Sequence, residues 1–447
     1  MKQIKIILWF DVEDYVTLES DDAFLEILNM LDQTGVRATL KFCTKKVRKF
    51  RERGRMDILE KTGRHECCFH TTDHSVHPLP PEYLDYFGFS DGVDEFYRRE
   101  AAGARELSEL LGKDLCSYGQ PGESWAPQAF AAVRKMGIHT YMDAHPIINI
   151  DGGLFWYCGI CSMTALTNLI HSKHEENQVD IMKKQFDSMD MSGDDVVFLS
   201  IYDHPTELAT TIFWDEVNFP KGKNPDILQP APLRSKEETK RNIDAIRQFI
   251  EYTLTKDNVE YITATDALQY IHHRTEPITS TDLKAYCSSF TGGISFADIR
   301  GGMLAPSELL VLLSKQVTGR MLMPELFYGP ESDEVSIIQN SEFSARELGE
   351  AVLGQKDHVM GYPQLKSLYK VGGSLLNPKD VFAMLSEAVK TGVDTVPMKH
   401  GDLAAANYVS DEYQWGGGWI LYPDDFDPKN IVKHTKLQCW TLKPAKV

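Results

Sequence analysis

The chain has no apolar run of the about 20 residues that a membrane-spanning helix needs, so no membrane span is expected. It is poor in cysteine: eight in 447 residues, at 43, 67, 68, 116, 158, 161, 287 and 439, too thinly spread for a disulfide scaffold. Positive charge is also in deficit, with 47 Lys and Arg against 65 Asp and Glu and a formal charge of −18. A surface of that sign repels phosphate before any base is read, so nucleic acid is not an expected partner. Glycine and proline are at ordinary levels and 42% of residues are hydrophobic, which excludes collagen-like, low-complexity and disordered acidic chains. The opening MKQIKIILWFDVEDY holds a Lys-flanked apolar run too short for a secretory signal, with no small-residue cleavage site. A cytoplasmic location is expected.

What is present is alternation. Ile4–Phe10 is a near-continuous apolar run, as a strand buried on both faces requires. A helical stripe follows over Ala23–Gln33, Gly35 ends it, and Ala38–Cys43 forms the next strand. Met56–Lys61, Phe96–Leu111, Ala129–Met136 and Lys236–Thr255 read as helices. Glu66–Phe69, Val196–Tyr202 and Val259–Thr263 read as strands. Repeated β-α alternation predicts an α/β fold with a parallel sheet and helices outside. A boundary falls near Arg274–Asp282, giving a first domain over residues 1–275 and a smaller, mostly helical or α+β, accessory domain over 276–447. Within the latter, Pro306–Val317 echoes Pro378–Val389. Each begins with Pro and an acidic first turn, and each is followed by Thr-Gly and then Pro324 or Pro397, a pattern that predicts an internal helix repeat.

Three polar groups stand where buried strands end, the place where parallel sheets bind ligands. Asp11-Val-Glu-Asp14 follows the first strand, and carboxylates there are costly unless paired, hydrogen-bonded or bound to metal. His70-Thr-Thr-Asp-His74 follows the third strand. A four-residue gap on a helical turn would place both imidazoles on one side, where they can share one ion with a carboxylate from another strand. Tyr202-Asp203-His204-Pro205 follows the strand at 196 and brings one more His to the same rim. Two His and one carboxylate form a catalytic rather than a structural metal set. By contrast Cys158-Gly-Ile-Cys161, in an apolar segment without a second such pair, reads as buried thiols rather than a zinc or redox motif.

These residues, in this order, resemble the polysaccharide deacetylase family, the NodB-homology domain of the carbohydrate esterase type. Phe10-Asp11-Val-Glu-Asp14 resembles its first motif and Gly35-Val-Arg-Ala-Thr39-Leu the strand after it. Arg64-His65-Glu66 through His70 and His74 resembles the motif that ends in two metal-binding His. Gln120-Pro121-Gly-Glu-Ser-Trp125-Ala-Pro127 stands at the groove motif, Lys135–Tyr141 at the following helix-to-strand step, His204 at the last motif and Tyr261-Ile-Thr-Ala at the terminal strand. The resemblance implies a distorted (β/α) barrel with one divalent metal, zinc by preference, at its carboxyl-end rim. It implies a metal held by His70, His74 and Glu13 or Asp14, with Asp11 as general base and His204 as general acid. Gln120, Pro121 and Trp125 would contact a glycan or amino-sugar substrate, and a backbone N–H near Thr71 or Thr72 would help hold the oxyanion. The implied activity is removal of N-acetyl groups.

The chain departs from the family pattern in three places. Asp-x-Glu-Asp replaces adjacent Asp-Asp; strand alternation favours Glu13 as the ligand, unless the chain turns and brings in Asp14. The groove motif lacks the Arg that many members use to orient the base, and Gln120 carries no charge. The last motif is Asp-His-Pro instead of an apolar residue followed by His. These departures keep open the hydrolysis of another linear or cyclic amide, or a glycan-binding protein whose site has decayed. The segment Thr206–Leu233 reads as a loop over the rim whose Phe213, Trp214 and Phe219 either stack on sugars or form a small core. The C-terminal region faintly resembles cell-wall-binding repeats of the pseudomurein type, and Trp415-Gly-Gly-Gly-Trp419 reads as a tight turn or a glycan platform.

Overall fold

The computed structural model describes residues 2–446 except 144–146, 151–152, 164–166, 169–176, 190–194, 273–275 and 414–420. The Trp415–Trp419 segment therefore lies outside the described residues. Among those described, no helix is long and apolar enough to cross a membrane.

The apolar run at the start becomes β1 (Gln3–Val12), buried along nearly its whole length. It is followed by β2 (Thr39–Phe42), β3 (Glu66–Phe69), β4 (Ser117–Tyr118) and β5 (Thr140–Tyr141), then β6 (Phe155–Tyr157) and β7 (Ile160–Ser162). The set ends with β8 (Thr167–Asn168), β9 (Val196–Asp203) and β10 (Val259–Ile262). One sheet takes the order β6-β7-β5-β4-β3-β2-β1-β9-β8. All its ladders are parallel apart from the β6–β7 hairpin and an added edge strand, Lys443–Pro444. The distortion starts at β1. Its first half pairs with β10 (Ile4↔Val259) and its second half with β2 (Trp9↔Thr39) on one side, while β9 runs along the other. Helices Glu19–Thr34, Phe89–Leu111, Pro127–Lys135 and Lys236–Leu254 pack outside. The result has the parallel sheet with helices outside that alternation predicts, curled into the distorted (β/α) barrel that the resemblance implies.

Residues 276–446 form an α+β region. Two of its hairpins share one register. Ile299 pairs with Gly302 and Val371 with Ser374, each through a two-residue turn with both φ positive (Arg300 and Gly301; Gly372 and Gly373). Each hairpin feeds a proline-started helix, Pro306–Val317 and Pro378–Thr391, which pack together. The two echoing segments are thus both helices preceded by a hairpin; a third hairpin of the same register turns at Met360 and Gly361.

This region does not stay apart from the barrel. Lys443–Pro444 extends the barrel sheet against β6. Lys443 also pairs with the nearly buried Glu308 at 2.7 Å, and the Tyr157 hydroxyl donates to the Thr435 carbonyl. A strand that covers an open sheet edge removes the unpaired N–H and C=O groups there.

That return of the chain also relocates the expected substrate contacts. Trp125 is 0% exposed, packs against Phe130, Tyr141 and Tyr157, and donates its Nε1–H to Thr435 Oγ1 at 3.0 Å. Gln120 is buried and accepts from the Tyr141 hydroxyl, and Pro121 is buried with it. A ring enclosed on every side cannot stack on a sugar, so Trp125, Gln120 and Pro121 serve the core here. The thiols of Cys158 and Cys161 are buried as well; Cys158 turns the β6–β7 hairpin, and burial pushes Cys161 up to about 12. Trp125→Ala should lower unfolding free energy by roughly 3–5 kcal/mol in urea titrations, the cost of emptying a core aromatic site. An open groove position would lose far less.

Candidate active site

The site grows from the carboxyl end of β1. In a parallel ladder, residues in register point to one face, and Asp11 is in register with Lys41 of β2, itself in register with Cys68 of β3. Lys41 Nζ therefore sits 2.8 Å from Asp11 Oδ2, with Asp143 Oδ2 at 3.5 Å and the Trp9 ring 4.4 Å below. Burial alone would raise the Asp11 carboxyl and lower the ammonium. Each charge overrides the penalty on the other, so Asp11 is held well below the carboxylate range and Lys41 above its ordinary value. Gly119 leaves the lane through which Lys41 runs, since a Cβ there would strike Lys41 Cε and the Met142 carbonyl.

Glu13, two residues on, meets two imidazoles. His70 Nε2 lies 3.0 Å and His74 Nε2 2.6 Å from Glu13 Oε2, and the two Nε2 atoms are 3.0 Å apart. His70 donates its Nδ1–H to the Gly119 carbonyl at 2.7 Å, and His74 Nδ1 is bonded to Ser75 Oγ at 2.6 Å. With Nδ1 engaged on both rings, the Nε2 lone pairs face the carboxylate. Burial and the Lys41 charge push His70 down to about 4, which keeps it neutral as a ligand must be. Three lone-pair donors converging on one point, with no proton to share between the two nitrogens, are the chemistry of a cation site. Glu13, His70 and His74 fit zinc by donor type.

Asp14, the alternative to Glu13, is engaged elsewhere. Its Oδ1 accepts from the backbone N–H of Val16 and Thr17, both at 2.9 Å, and its Oδ2 from Thr206 Oγ1 at 2.8 Å. Asp14 thus caps the turn and does not join the converging Glu13, His70 and His74 atoms. A second expectation is also corrected. His70 and His74 are not on a helical turn: Thr71 (φ 61) and His74 (φ 57) are left-handed, and that bend brings the rings to 4.6 Å between centroids. Left-handed non-glycine residues cost about 1–3 kcal/mol each and gather at functional sites. The Thr72 N–H is donated to Glu100 at 2.8 Å, so it is no oxyanion donor.

His204 completes the arrangement. It caps the short helix Pro205–Ala209, with Nε2 at 3.4 Å from Asp11 Oδ2 and Nδ1 at 3.4 Å from Glu207 Oε2. Burial disfavours its cation, but Asp11 and Glu207 outweigh burial and raise it well above the ordinary value. The 206–233 segment forms its own small core: Trp214 and Phe219 are buried with Tyr15, Leu79 and Tyr422, while Phe213 meets the His204 ring at 5.0 Å.

No family model matches the chain, and no curated protein does. The pseudomurein-type likeness of residues 276–447 finds no support there. Among solved structures, the chain is similar to a probable polysaccharide deacetylase from Pseudomonas aeruginosa PAO1 (13% identity, 60% of this chain and 90% of that one, TM-score 0.40). It is also similar to a CE4 esterase from Streptococcus mutans (15%, 59% and 86%, 0.34). A third is a CE4 family pseudoenzyme from Bacillus anthracis (12%, 58% and 64%, 0.33). Likeness at this level carries no weight of its own, and the function rests on the site.

Sequence reasoning brought Asp11, Glu13, His70, His74 and His204 to this place, named Trp214 only as a stacking or core residue, and missed Lys41, Ser75, Glu207 and Asp215. Only Lys41 left a signal, a lysine inside the apolar strand Thr39–Phe42. It supplies from β2 the cation that Gln120 lacks. Lys41→Met, which strands a buried carboxylate, should cost roughly 3–5 kcal/mol of stability at pH 7 by urea denaturation. Lys41→Ala/Asp11→Ala together should cost less than the sum of the two single changes.

Proposed function

We propose that the protein is a metal-dependent amide hydrolase that removes N-acetyl groups from an amino sugar or glycan. The observation that carries this is the convergence of Glu13, His70 and His74 beside an ionised Asp11 and a protonated His204. A divalent ion held by the three donors, zinc by their nature, would supply Lewis-acid polarisation of the acyl carbonyl and a water of lowered pKa.

The chain's own residues do the rest. Lys41 occupies Asp11 Oδ2, leaving Oδ1, a buried oxygen without a hydrogen-bond partner among the described residues, to take the proton of the attacking water. As that water's oxygen bonds to the acyl carbon, the C–N bond breaks and its electron pair takes a proton from His204 Nε2, giving acetate and a free amine. His204 is suited to the role because Glu207 and Asp11 keep it protonated through neutral pH. The complete donor set, with both proton-transfer groups in place, speaks against a decayed binding protein.

The experiment is acetate release from a panel of N-acetylated amino sugars, chito-oligomers and non-sugar amides, alongside metal content by plasma emission. Asp11→Asn should lower turnover by about 10²–10⁴-fold with metal retained. His70→Ala should lose metal and turnover together; normal turnover in either variant overturns the assignment, and turnover confined to non-sugar amides redirects it. The pH profile follows from His204. Its raised pKa keeps the acid protonated at neutrality, so the rate should fall only on the alkaline side. Glu207→Gln removes one of the charges holding that proton, beside Asp11 and Glu13, and should move the alkaline limb to lower pH.

A further inference from the structure

The segment Phe213–Asn224 grips the metal-ligand loop from outside through atoms that the hydrolytic reaction does not use. Trp214 donates its Nε1–H to Glu13 Oε1 at 3.0 Å, the carboxylate oxygen that does not face the imidazoles. Its neighbour Asp215 is fully buried and accepts from Ser75 Oγ at 2.8 Å. Ser75 has a single hydroxyl proton. Spending it on Asp215 leaves the Ser75 oxygen to accept from His74 Nδ1–H at 2.6 Å. The relay His74 to Ser75 to Asp215 therefore selects the tautomer of His74 whose Nε2 lone pair faces Glu13.

The rest of the segment anchors this pair. Asn224 brackets the His77 backbone, Oδ1 accepting from its N–H at 2.9 Å and Nδ2 donating to its carbonyl at 2.7 Å. His77 Nε2 donates to the Phe219 carbonyl at 3.1 Å. Asn218 closes the segment on Gln229 in the same two-way fashion, at 2.8 and 2.9 Å. Two adjacent residues thus reach two different ligands of one site, from a segment tied at both ends.

We propose that Phe213–Asn224 is a positioning clasp for the metal centre, in which Trp214 fixes Glu13 and the Ser75–Asp215 relay fixes His74, so that metal affinity is set from this segment. The inference rests on the metal-site reading above and deepens it; Ser75, Trp214 and Asp215 are positioning residues, not catalytic ones. Partners that orient ligands in this way typically contribute roughly 10–100-fold to metal affinity.

The test is the zinc dissociation constant of the full-length protein, measured by competition with a chromophoric chelator, with the metal-free melting temperature recorded alongside. Trp214→Phe keeps the ring and loses the donor; Ser75→Ala keeps the backbone and breaks the relay. Each should weaken zinc binding by roughly 10–100-fold while the metal-free protein still folds and melts in one cooperative transition. Asn218→Ala, which removes a hydrogen bond to the Trp214 carbonyl at 2.6 Å but leaves the donors to Glu13 and His74 in place, should weaken it less than either. Wild-type zinc affinity in both Trp214→Phe and Ser75→Ala overturns the clasp while leaving the metal site standing, as does a lowered melting temperature with affinity intact. A wild-type protein that takes up no zinc would instead sink the metal-site reading, and the clasp with it.

Discussion

Three carboxylates leave water together at the end of β1, and the architecture around them is the answer to that cost. An unpaired buried carboxylate is too expensive to keep, so each must find its own compensation. Asp11 takes an ammonium from the adjacent strand, Glu13 two imidazoles and an indole N–H, and Asp14 two backbone N–H groups and a threonine hydroxyl. The three solutions differ in kind. An ammonium, a pair of imidazoles and a set of turn donors are three different partners. Within four residues the chain thus gives distinct surroundings to three carboxylates that composition alone makes alike.

The register of the parallel ladder is what permits this. Because β2 pairs only with the upper half of β1, Lys41 falls beside Asp11 and not beside an apolar residue lower in the strand. The lower half is given over to β10, where Ile4–Ile7 pair with Val259–Ile262 and Lys5 meets Glu260 at 2.6 Å. The split pairing that distorts the barrel is therefore the same feature that brings a cation to the rim. Removing water from this rim strengthens each interaction there, because the dielectric that would weaken them is gone.

What could be read from the sequence was whatever local pattern encodes. The strand Gln3–Val12, the helices and the order of the polar groups at strand ends all follow from apolar periodicity, which needs no knowledge of partners. Lys41 carries only a faint local signal, a lysine within the apolar strand Thr39–Phe42, and its partner Asp11 lies on another strand 30 positions away. Asp14 was ambiguous for a physical reason: alternation along a strand stops being informative where the chain turns. Trp125 looked like a groove residue since nothing near it announces Thr435, which covers it from 310 positions away. The left-handed bend at Thr71 and His74 was equally hidden, because neither residue type signals a positive φ.

The same long-range logic decides what the C-terminal region contributes. A module that merely follows the barrel would leave the β6 edge bare and Trp125 open to solvent. Here the edge is closed by Lys443–Pro444 and the tryptophan by Thr435. The chain end also reaches the outer segment of the site: the Leu421 carbonyl accepts from Gly222 N–H, Asp424 pairs with Lys221 at 2.9 Å, and the Tyr422 ring lies edge-on to His77. Residues at opposite ends of the sequence thus close on the loop that carries His70 and His74. The geometry of that loop depends on the whole chain, since its left-handed residues persist only where surrounding contacts over-determine them. Leu421, Tyr422, Asp424, Thr435 and Lys443–Pro444 are in this sense part of the scaffold of the site.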